Sequence, residues 1–389
     1  MFAPLLVCLL VLLALGGAER LARDRALRAL PFRIHVNGTR AKSTVTRLIW
    51  SALSEAGIPT IAKTTGTAVR ILLPDRREVS LRRRGPANIR EQLEFLRHAR
   101  RAGARAAVIE CMALDPVLQY VAEQDMVRAT IGVITNVRLD HTEVMGRDLS
   151  SIATALANTI PARGVLVTGA SCFLAVFQKR AAELGTNVVV VASPPEGSVV
   201  PGNPALWLAE DTALALAVTR QLGIDDVVAR RGFARAPRDP GTVREGSTSL
   251  RNGDMAWIDA TAANDPESLA LLLEGFEPWH EVRTGGAVRR PGILVYHHRS
   301  DRASRLECFV RHCTDFASAD HLVISGARPP ATVWRLLTRG RKAGTLQFVA
   351  AAGLASWLAA HASGAAVAFC GNTRGLDVPR LLEEAASCG

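Results

Sequence analysis

The 389-residue sequence lacks the cysteine spacings that mark structural zinc sites and disulfide-rich domains. Its seven cysteines are scattered, none forms a C-x-x-C pair, and none lies near histidines at zinc-finger spacing. An odd number of dispersed thiols favours a reducing compartment with free, partly buried cysteines. A metal or disulfide role for these cysteines is therefore the weaker interpretation.

Aromatic residues are also scarce, at 5% of the chain, although hydrophobic residues make up 48%. Alanine, valine and leucine dominate, which suits helices packed on a parallel sheet. The formal net charge of +11 comes mostly from arginine and favours anionic partners such as phosphates, carboxylate-rich polymers or acidic lipid. Because the basic residues are dispersed without interleaved aromatics, nucleic acid is a weak alternative, and we predict no nucleic-acid partner.

No lysine or arginine precedes the apolar segment Phe2–Ala18, whereas several arginines follow it. As a helix this segment would span about 25 Å, slightly less than the roughly 30 Å hydrocarbon core of a bilayer. A secretory signal needs the opposite order of charge, although the residues Leu15–Ala18 resemble a cleavage site. The positive-inside rule predicts that residues 1–22 form a single-pass anchor in the cell membrane, with the main body of the chain in the cytoplasm. A cleaved signal is the alternative.

The rest of the chain alternates apolar, β-branched segments with helical patterns, which predicts α/β architecture with parallel sheets. The predicted strands of the first half are RIHVNG, AAVIECM, TIGVITNV, GVLVTG and NVVVVAS. Those of the second half are MAWIDA, GILVYHH, HLVISGA, LQFVA and AAVAFCGN. Leu206–Ile224 is predicted to be the last helix of the first domain, and the Gly-, Pro- and Arg-containing segment after it predicts a boundary near Pro237–Gly246. The predicted domains are 31–236 and 246–389.

The turn after the first predicted strand has the residue types of a phosphate-binding loop. A strand-to-helix turn with glycine, lysine and hydroxyl side chains can bind phosphates and Mg²⁺, and the chain places Gly38, Thr39, Lys42, Ser43 and Thr44 there. The usual G-x-x-x-x-G-K-[ST] pattern is not met. An ordinary helix start, capped by Ser43 or Thr44, is the alternative interpretation.

Two further polar residues follow neighbouring predicted strands. Glu110 ends AAVIE, and His141 lies in TNVRLDHTEVMG, beside Asp140. The carboxyl ends of parallel strands share one edge of the sheet, where ligands bind. A carboxylate and a neutral imidazole can share a hard cation with phosphate oxygens, so Glu110 and His141 are candidate metal ligands. A structural role for the histidine is the alternative.

Eight motifs, taken together, resemble the ligase subunit of poly-γ-glutamate synthase, a family of Mur-ligase-like amide ligases. In chain order they are VNGTRAKSTVTRLI, KTTGT, GPANIREQ, VIECMA, TNVRLDHTEVMG, AANDPES, DRASR and GNTRG. The resemblance extends from about residue 31 to the C-terminus. It implies a parallel-sheet P-loop ATPase domain, a smaller Rossmann-like C-terminal domain and an N-terminal transmembrane helix.

The resemblance also implies roles for individual residues. It assigns ATP binding to the residues Gly38, Thr39, Arg40, Lys42, Ser43, Thr44, Asn136, Asp259, Asn264, Asp301 and Arg302. It assigns Mg²⁺ binding to Ser43, Thr65, Glu110 and His141, with Thr67 near the metal or the acyl substrate. Lys42, Glu110 and His141 are the implied catalytic residues. Two residues depart from the family pattern: Ala41 stands where glycine is common, and Asp211 where asparagine is usual.

The implied reaction is ATP-dependent formation of poly-γ-glutamate through an acyl phosphate, with release of ADP and phosphate. ATP and Mg²⁺ are the implied cofactors. Glutamate, the poly-γ-glutamate chain and small membrane subunits of a synthesis and export complex are the implied partners. Two alternatives stay open: another Mur- or folylpolyglutamate-type amino-acid ligase, and a non-catalytic nucleotide-binding scaffold of a polymer export complex.

Overall fold

The computed structural model describes residues 2–65, 69–81, 87–192, 209–237, 243–263, 265–279, 291–342, 344–373 and 375–388. The chain divides into two compact units. One contains Met1–Pro194 and Glu210–Pro237, and the other contains mainly Arg238–Gly389. The predicted domain ranges of 31–236 and 246–389 stay predictions.

An eight-stranded sheet organises the first unit, in the order β4-β3-β2-β5-β1-β6-β7-β8. Only β3 and β4 pair antiparallel to their neighbours. The strands are β1 (Phe32–Asn37), β2 (Thr60–Thr64), β3 (Arg70–Leu72), β4 (Glu78–Ser80), β5 (Ala106–Glu110), β6 (Ile131–Ile134), β7 (Val165–Thr168) and β8 (Asn187–Val190). The five strands predicted for this half of the chain are all present.

Nine described helices belong to the same half of the chain. They are α1 (Phe2–Ala29), α2 (Lys42–Glu55), α3 (Glu91–Arg101), α4 (Pro116–Val121), α5 (Thr142–Met145), α6 (Leu149–Leu156), α7 (Leu174–Leu184), α8 (Ala209–Gln221) and α9 (Asp226–Ala234). A π-helical turn, Ala122–Val127, continues α4. The apolar stripe predicted for α2 is confirmed, because Val45, Leu48, Ile49, Ala52 and Leu53 are all buried.

The helix α9 corrects the prediction that α8 is the last helix of this domain. In the sequence, the glycine of this arginine-rich segment predicts a break in the chain. In the structure, Gly232 lies inside α9 and packs against α2. A Cβ atom on Gly232 would come within 2.5 Å of the Ala52 Cα. The Ser51 hydroxyl donates a 2.6 Å hydrogen bond to the Gly232 carbonyl. The glycine therefore serves close helix packing rather than a chain break.

The second unit has a six-stranded sheet in the order β13-β12-β11-β14-β10-β9, antiparallel only at β9. Its strands are β9 (Arg244–Leu250), β10 (Gly253–Asp259), β11 (Gly292–His298), β12 (His321–Gly326), β13 (Thr345–Val349) and β14 (Ala366–Cys370). Its described helices include α10 (Pro266–Gly275), α11 (Ala303–His312), α12 (Thr314–Ser318), α13 (Ala331–Gly340), α14 (Leu354–His361) and α15 (Val378–Ser387). Apolar side chains form a separate cluster on each face of this sheet.

The helix α1 has two chemically different halves. Leucines of its first half, such as Leu6 and Leu12, are 57% and 66% exposed. Its last turns place Ala26 and Leu27 in a buried cluster with residues of β2, β3, β5 and α3, and Leu30 joins them just after the helix. Among the described residues, α1 alone is long and apolar enough to cross a membrane, with a mean hydropathy of 2.1 over its most apolar window.

Candidate active site

The candidate site lies where the order of the strands in the sheet of the first unit reverses. The strand β1 is flanked by β5 and β6, and its turn into α2 emerges between the carboxyl ends of those strands. Ligands of doubly wound sheets bind at such a point. The sequence-predicted residues of this half of the chain converge on this edge.

The turn between β1 and α2, residues 38–41, has two residues with positive φ. Gly38 has a φ of 132°, and a Cβ atom at that position would clash with the Thr135 hydroxyl. Glycine is therefore required at residue 38. Ala41 has a φ of 61° and precedes the first residue of α2 without capping it through its side chain. A left-handed alanine costs about 1 kcal/mol or more, so this departure from the family pattern does introduce backbone strain.

Asn136 holds the turn in place. Its backbone carbonyl accepts a 3.2 Å hydrogen bond from the Thr39 N–H. Its side-chain Oδ1 accepts hydrogen bonds from the Thr39 hydroxyl at 2.8 Å and from the Arg40 N–H at 3.0 Å. Asp140 forms a 3.1 Å ion pair with the Arg40 guanidinium. The structure thus brings Thr39, Arg40 and Asn136 together, with Asn136 shaping the loop; their contact with ATP stays a prediction.

The Lys42 side chain lies over the turn. Its Nζ donates to the Gly38 carbonyl at 2.7 Å and to the Thr39 carbonyl at 3.3 Å. The first N–H groups of a helix have no partner within the helix, and its dipole favours anions there. The ammonium group and the first turn of α2, which includes Ser43 and Thr44, therefore form an electropositive site for a phosphate.

Glu110 is 2% exposed and receives two hydrogen bonds on the same oxygen. The Ser43 hydroxyl donates to its Oε2 at 2.8 Å, and the Thr65 N–H donates at 2.7 Å. Three of the four predicted metal ligands, Ser43, Thr65 and Glu110, are thus adjacent. Because the Ser43 hydroxyl bonds to Glu110, Ser43 does not act as the side-chain cap of an ordinary helix start. Hard oxygen donors suit Mg²⁺, which keeps several water or phosphate ligands. Among the described residues, no group of three or more His, Cys, Asp and Glu side chains forms a metal cluster.

His141 lines the same small cavity as the turn between β1 and α2. Gly38, Thr39, Lys42 and Asp140 also line this cavity. The imidazole Nε2 is 3.5 Å from Asp140 Oδ2, and its Nδ1 is 3.5 Å from Glu143 Oε1. His141 also has a positive φ of 47°, a conformation that costs free energy and clusters at functional sites. The cavity lining brings His141 towards Lys42.

A second group of charged residues begins at the start of α8. The Arg138 guanidinium is 3.2 Å from Glu210 Oε1, and the Arg138 N–H donates to the Thr39 hydroxyl at 2.9 Å. Asp211 is 3% exposed, and its Oδ1 has no hydrogen-bond partner among the described residues. Burial, reinforced by Glu210 and opposed by Arg138, raises the pKa of Asp211 well above its usual value. A neutral carboxyl can donate a hydrogen bond, as asparagine does.

The remaining predicted residues belong to the second unit. Asp259 ends β10 and accepts hydrogen bonds from the Thr261 N–H at 3.1 Å and from its hydroxyl at 2.6 Å. Burial raises the pKa of Asp259, against the opposing effect of these bonds. Asp301 and Arg302 lie in a 3-10 turn after β11, where Asp301 pairs with Arg299 at 2.6 Å. Asn264 and Thr67 lie outside the described residues.

Several polar contacts near these residues were not predicted as site features. Lys63, fully buried, forms a 3.0 Å ion pair with Glu91 and joins the KTTGT and NIREQ segments. Arg305 donates to the Asn372 side-chain oxygen at 2.6 Å, joining the DRASR and GNTRG segments. Lys63 could have been found, because it stands near the end of a strand beside β5. The Arg305–Asn372 contact joins distant residues and has no local signal.

Comparison with known proteins defines the class. The Mur ligase middle domain family matches residues 36–193. A solved structure from Yersinia pestis is a bifunctional folylpolyglutamate synthase/dihydrofolate synthase complexed with AMPPNP and a Mn ion. It superposes with a TM-score of 0.62 at 17% identity, covering 95% of this chain and 91% of that one. The fold is Mur-ligase-like, and the chain is an ATP-dependent amide ligase.

The family follows from the relatives closer in sequence. The poly-gamma-glutamate synthase CapB C-terminal domain family matches residues 247–385. The PGA synthase CapB of Bacillus subtilis is 34% identical over 326 residues, which are 83% of this chain and 81% of that protein. The capsule biosynthesis protein CapB of Bacillus anthracis is 34% identical over 324 residues, 82% of this chain and 68% of that protein. The chain belongs to the CapB family, and the predicted resemblance is confirmed.

Proposed function

We propose that this chain joins glutamate units through their γ-carboxyl groups, using ATP. The name poly-gamma-glutamate synthase, carried by its CapB relatives, supports glutamate as the unit that is joined. The observation that carries the proposal is the Ser43–Glu110 contact of 2.8 Å beside Lys42. A hydroxyl, a carboxylate and an ammonium group at one strand-to-helix turn supply the donor types that a magnesium–triphosphate complex requires.

The chemistry needs activation, because a carboxylate does not react with an amine at neutral pH. A γ-carboxylate oxygen would attack the terminal phosphorus of ATP, ADP would leave, and an acyl phosphate would form. The amine of the next glutamate would attack the acyl carbon, and phosphate would leave with loss of a proton from nitrogen. Ser43 and Glu110 would hold Mg²⁺, with Thr65 and His141 nearby. The bound ion would neutralise the phosphate charge.

The residues of the chain would bind and orient the reactants. Lys42 would exchange its contacts with the Gly38 and Thr39 carbonyls for phosphate oxygens and so reduce the repulsion between carboxylate and triphosphate. Asn136 would keep the loop in shape, as its bonds to Thr39 and Arg40 do here. Asp259, Asn264, Asp301 and Arg302 would contribute from the second unit, as the resemblance implies.

Membrane anchoring is part of the proposal. The exposed leucines of α1 and the arginines after them support a single-pass helix with the ligase in the cytoplasm, where ATP is available. The association with small membrane subunits, implied by the resemblance, rests on the same helix. Alkaline carbonate extraction of cell membranes should leave the full chain in the membrane fraction.

The decisive experiment is an ATP-consumption assay of the full chain in membranes. ADP release should depend on glutamate or oligo-γ-glutamate, and mass spectrometry should find γ-linked glutamate. Lys42→Ala should lower the rate at least about 100-fold, because it removes a positive charge from the site of developing negative charge. Lys179→Ala is the matched control, because Lys179 is exposed on α7.

Each alternative function gives a different result. An unchanged product yield with Lys42→Ala would support the non-catalytic scaffold. ADP release that requires a folate or a peptide acceptor, with none for glutamate alone, would support another amino-acid ligase. Either outcome would contradict the proposal.

A further inference from the structure

A large basic cleft, which we call the arginine cleft, lies at the base of α1, away from the candidate active site. Its volume of about 900 Å³ lies within the range of small-molecule sites. Six arginines and two aspartates line it: Arg20, Arg23, Arg28, Arg33, Arg128, Arg163, Asp24 and Asp125. The lining therefore favours an anion.

The arginine cleft lies at the amino ends of the central strands. Arg33 is the second residue of β1, Arg128 precedes β6, and Arg163 precedes β7. The phosphate loop follows the opposite end of β1, so the cleft is separate from the candidate active site. Arg33 is a structural member, because its guanidinium donates to the Leu27 and Leu30 carbonyls at the end of α1. This contact joins α1 to the sheet.

Four of the arginines are available to a ligand. Arg20, Arg28, Arg128 and Arg163 are exposed, and their guanidinium groups make no hydrogen bond or ion pair with the described residues. Of the two aspartates, Asp24 is already paired with Arg23 at 2.9 Å. With six arginines against two aspartates, the cleft keeps a net positive charge.

Two of these four arginines occupy strained backbone positions. Arg128 has a φ of 48° and Arg163 a φ of 55°. The left-handed region favours glycine, and an arginine there costs about 1 kcal/mol or more. Glycine would be less strained at both positions, so glycine substitutions can remove these guanidinium groups without straining the backbone.

The position of the cleft along α1 identifies the source of the anion. Arg20 and Arg23 follow the apolar segment by about 3 and 8 Å of helix, which is the depth of the lipid headgroups. A second cavity shares Arg20, Arg23 and Asp125 with the cleft and extends to Gly16, within the apolar segment. The charged lining thus extends up to the end of the apolar segment, where the headgroup of a lipid packed against α1 would lie.

We propose that the arginine cleft binds the headgroup phosphate of an anionic phospholipid of the cytoplasmic leaflet, with the lipid lying against α1. The proposal rests on the proposed anchoring of α1 in the membrane. A soluble phosphate or an oligo-γ-glutamate carries the same charge but has no acyl chain to contact the exposed leucines of α1. Basic residues at this depth gain affinity mainly from acidic lipid.

The test is native mass spectrometry of the full chain in detergent, with added phosphatidylglycerol or phosphatidylcholine. Phosphatidylglycerol should bind at least about tenfold more tightly than phosphatidylcholine. The double variant Arg128→Gly/Arg163→Gly should weaken phosphatidylglycerol binding about 30-fold, since each arginine near the surface contributes about fivefold. Because glycine relieves the left-handed strain, this variant should melt no lower than the parent chain.

Arg76→Gly is the matched control, since Arg76 also has a left-handed φ, of 66°, and lies outside the cleft. It should leave lipid binding unchanged. Equal binding of the two lipids would overturn the proposal, and so would unchanged binding by the double variant. Displacement of phosphatidylglycerol by equal concentrations of inorganic phosphate or oligo-γ-glutamate would also overturn it. Loss of the chain from the membrane fraction on carbonate extraction would contradict the anchoring of α1 instead. Glutamate-dependent ADP release by the double variant measures the ligase activity separately from lipid binding.

Discussion

At the scale of single residues, Ala41 is the clearest departure from an optimal phosphate loop. Its φ of 61° is one that glycine adopts freely, so Ala41→Gly should raise the melting temperature of the full chain by about 2–4 °C. Differential scanning fluorimetry of the detergent-solubilised protein measures this shift.

The control for Ala41→Gly is an alanine-to-glycine substitution at a residue with right-handed helical backbone. Ala182→Gly, at an exposed position of α7, should lower the melting temperature, because glycine costs up to about 1 kcal/mol in a helix. Equal shifts for the two variants would show that left-handed strain at Ala41 is not the cause.

Asp211 leads to a prediction about pH. A carboxyl whose pKa is raised on folding stabilises the folded state fully only below its unfolded-state pKa, and that contribution is lost as the pH rises through the folded-state pKa. Asp211→Asn keeps the shape and removes the cost of a buried charge. The melting temperature of the variant should therefore exceed that of the parent chain by more at pH 8 than at pH 5.

Glu210→Gln is the comparison for Asp211. It breaks the 3.2 Å ion pair with Arg138 and removes only the smaller of the two effects that raise the pKa of Asp211, so its gain at high pH should be smaller than that of Asp211→Asn. If Asp211→Asn and the parent chain showed the same pH dependence, Asp211 would not be the buried acid inferred here. The variant also tests whether an amide at this position supports nucleotide binding as well as a protonated carboxyl does.

The residue types of the candidate site could be predicted, but not their contacts. Lys42, Ser43, Glu110 and His141 all follow strands, and the rule that parallel strand ends share an edge was enough to group them. The bonds from Asn136 to Thr39 and Arg40 were not predictable, because they join the ends of two strands far apart in the chain. Side-chain pairing across a sheet edge leaves no periodic signal.

At the scale of elements, strands rich in apolar residues were predictable, including the edge strands β8 and β13, whereas β2, β3, β4 and β9 were not predicted. The strands β5 and β6 are almost entirely apolar, whereas β3 and β4 have three residues each. Short antiparallel edge strands carry little hydrophobic signal. The helix α9 was missed for a different reason, since Gly232 packs against α2 instead of ending a helix.

The two halves of α1 predict different results for two truncations. A chain beginning at Glu19 keeps Ala26, Leu27 and Leu30 in their buried cluster and should retain the melting temperature of the full chain. A chain beginning at Pro31 loses all three side chains from that cluster. It should be destabilised by about 3–5 kcal/mol, because each buried leucine contributes about 1.5–3 kcal/mol.

Thermal unfolding and carbonate extraction together separate the two roles of α1. Both truncated chains should leave the membrane fraction, but only the shorter one should melt lower. A large loss of stability in the chain beginning at Glu19 would contradict the assignment of residues 2–18 to the membrane alone.

At the scale of the whole molecule, the sequence predicted two α/β domains, and the structure has two compact units. The second unit has its own apolar clusters on both faces of its sheet. The family models for the middle and C-terminal domains match separate parts of the chain. The alternation of apolar segments was sufficient to predict the class of fold. Hydrophobic residues recur with a different period in strands and in helices, so the long elements can be told apart from the sequence.

The direction of β1 has a consequence for the nascent polymer. The strand begins beside the end of α1 and ends at the phosphate loop, a run of six residues, or about 20 Å. With α1 in the bilayer, bond formation would take place at the end of β1 that is farther along the chain from α1. A growing chain would first have to become long enough to extend past the side of the unit. Only above that threshold length could one end touch the membrane surface while the other end was still being elongated.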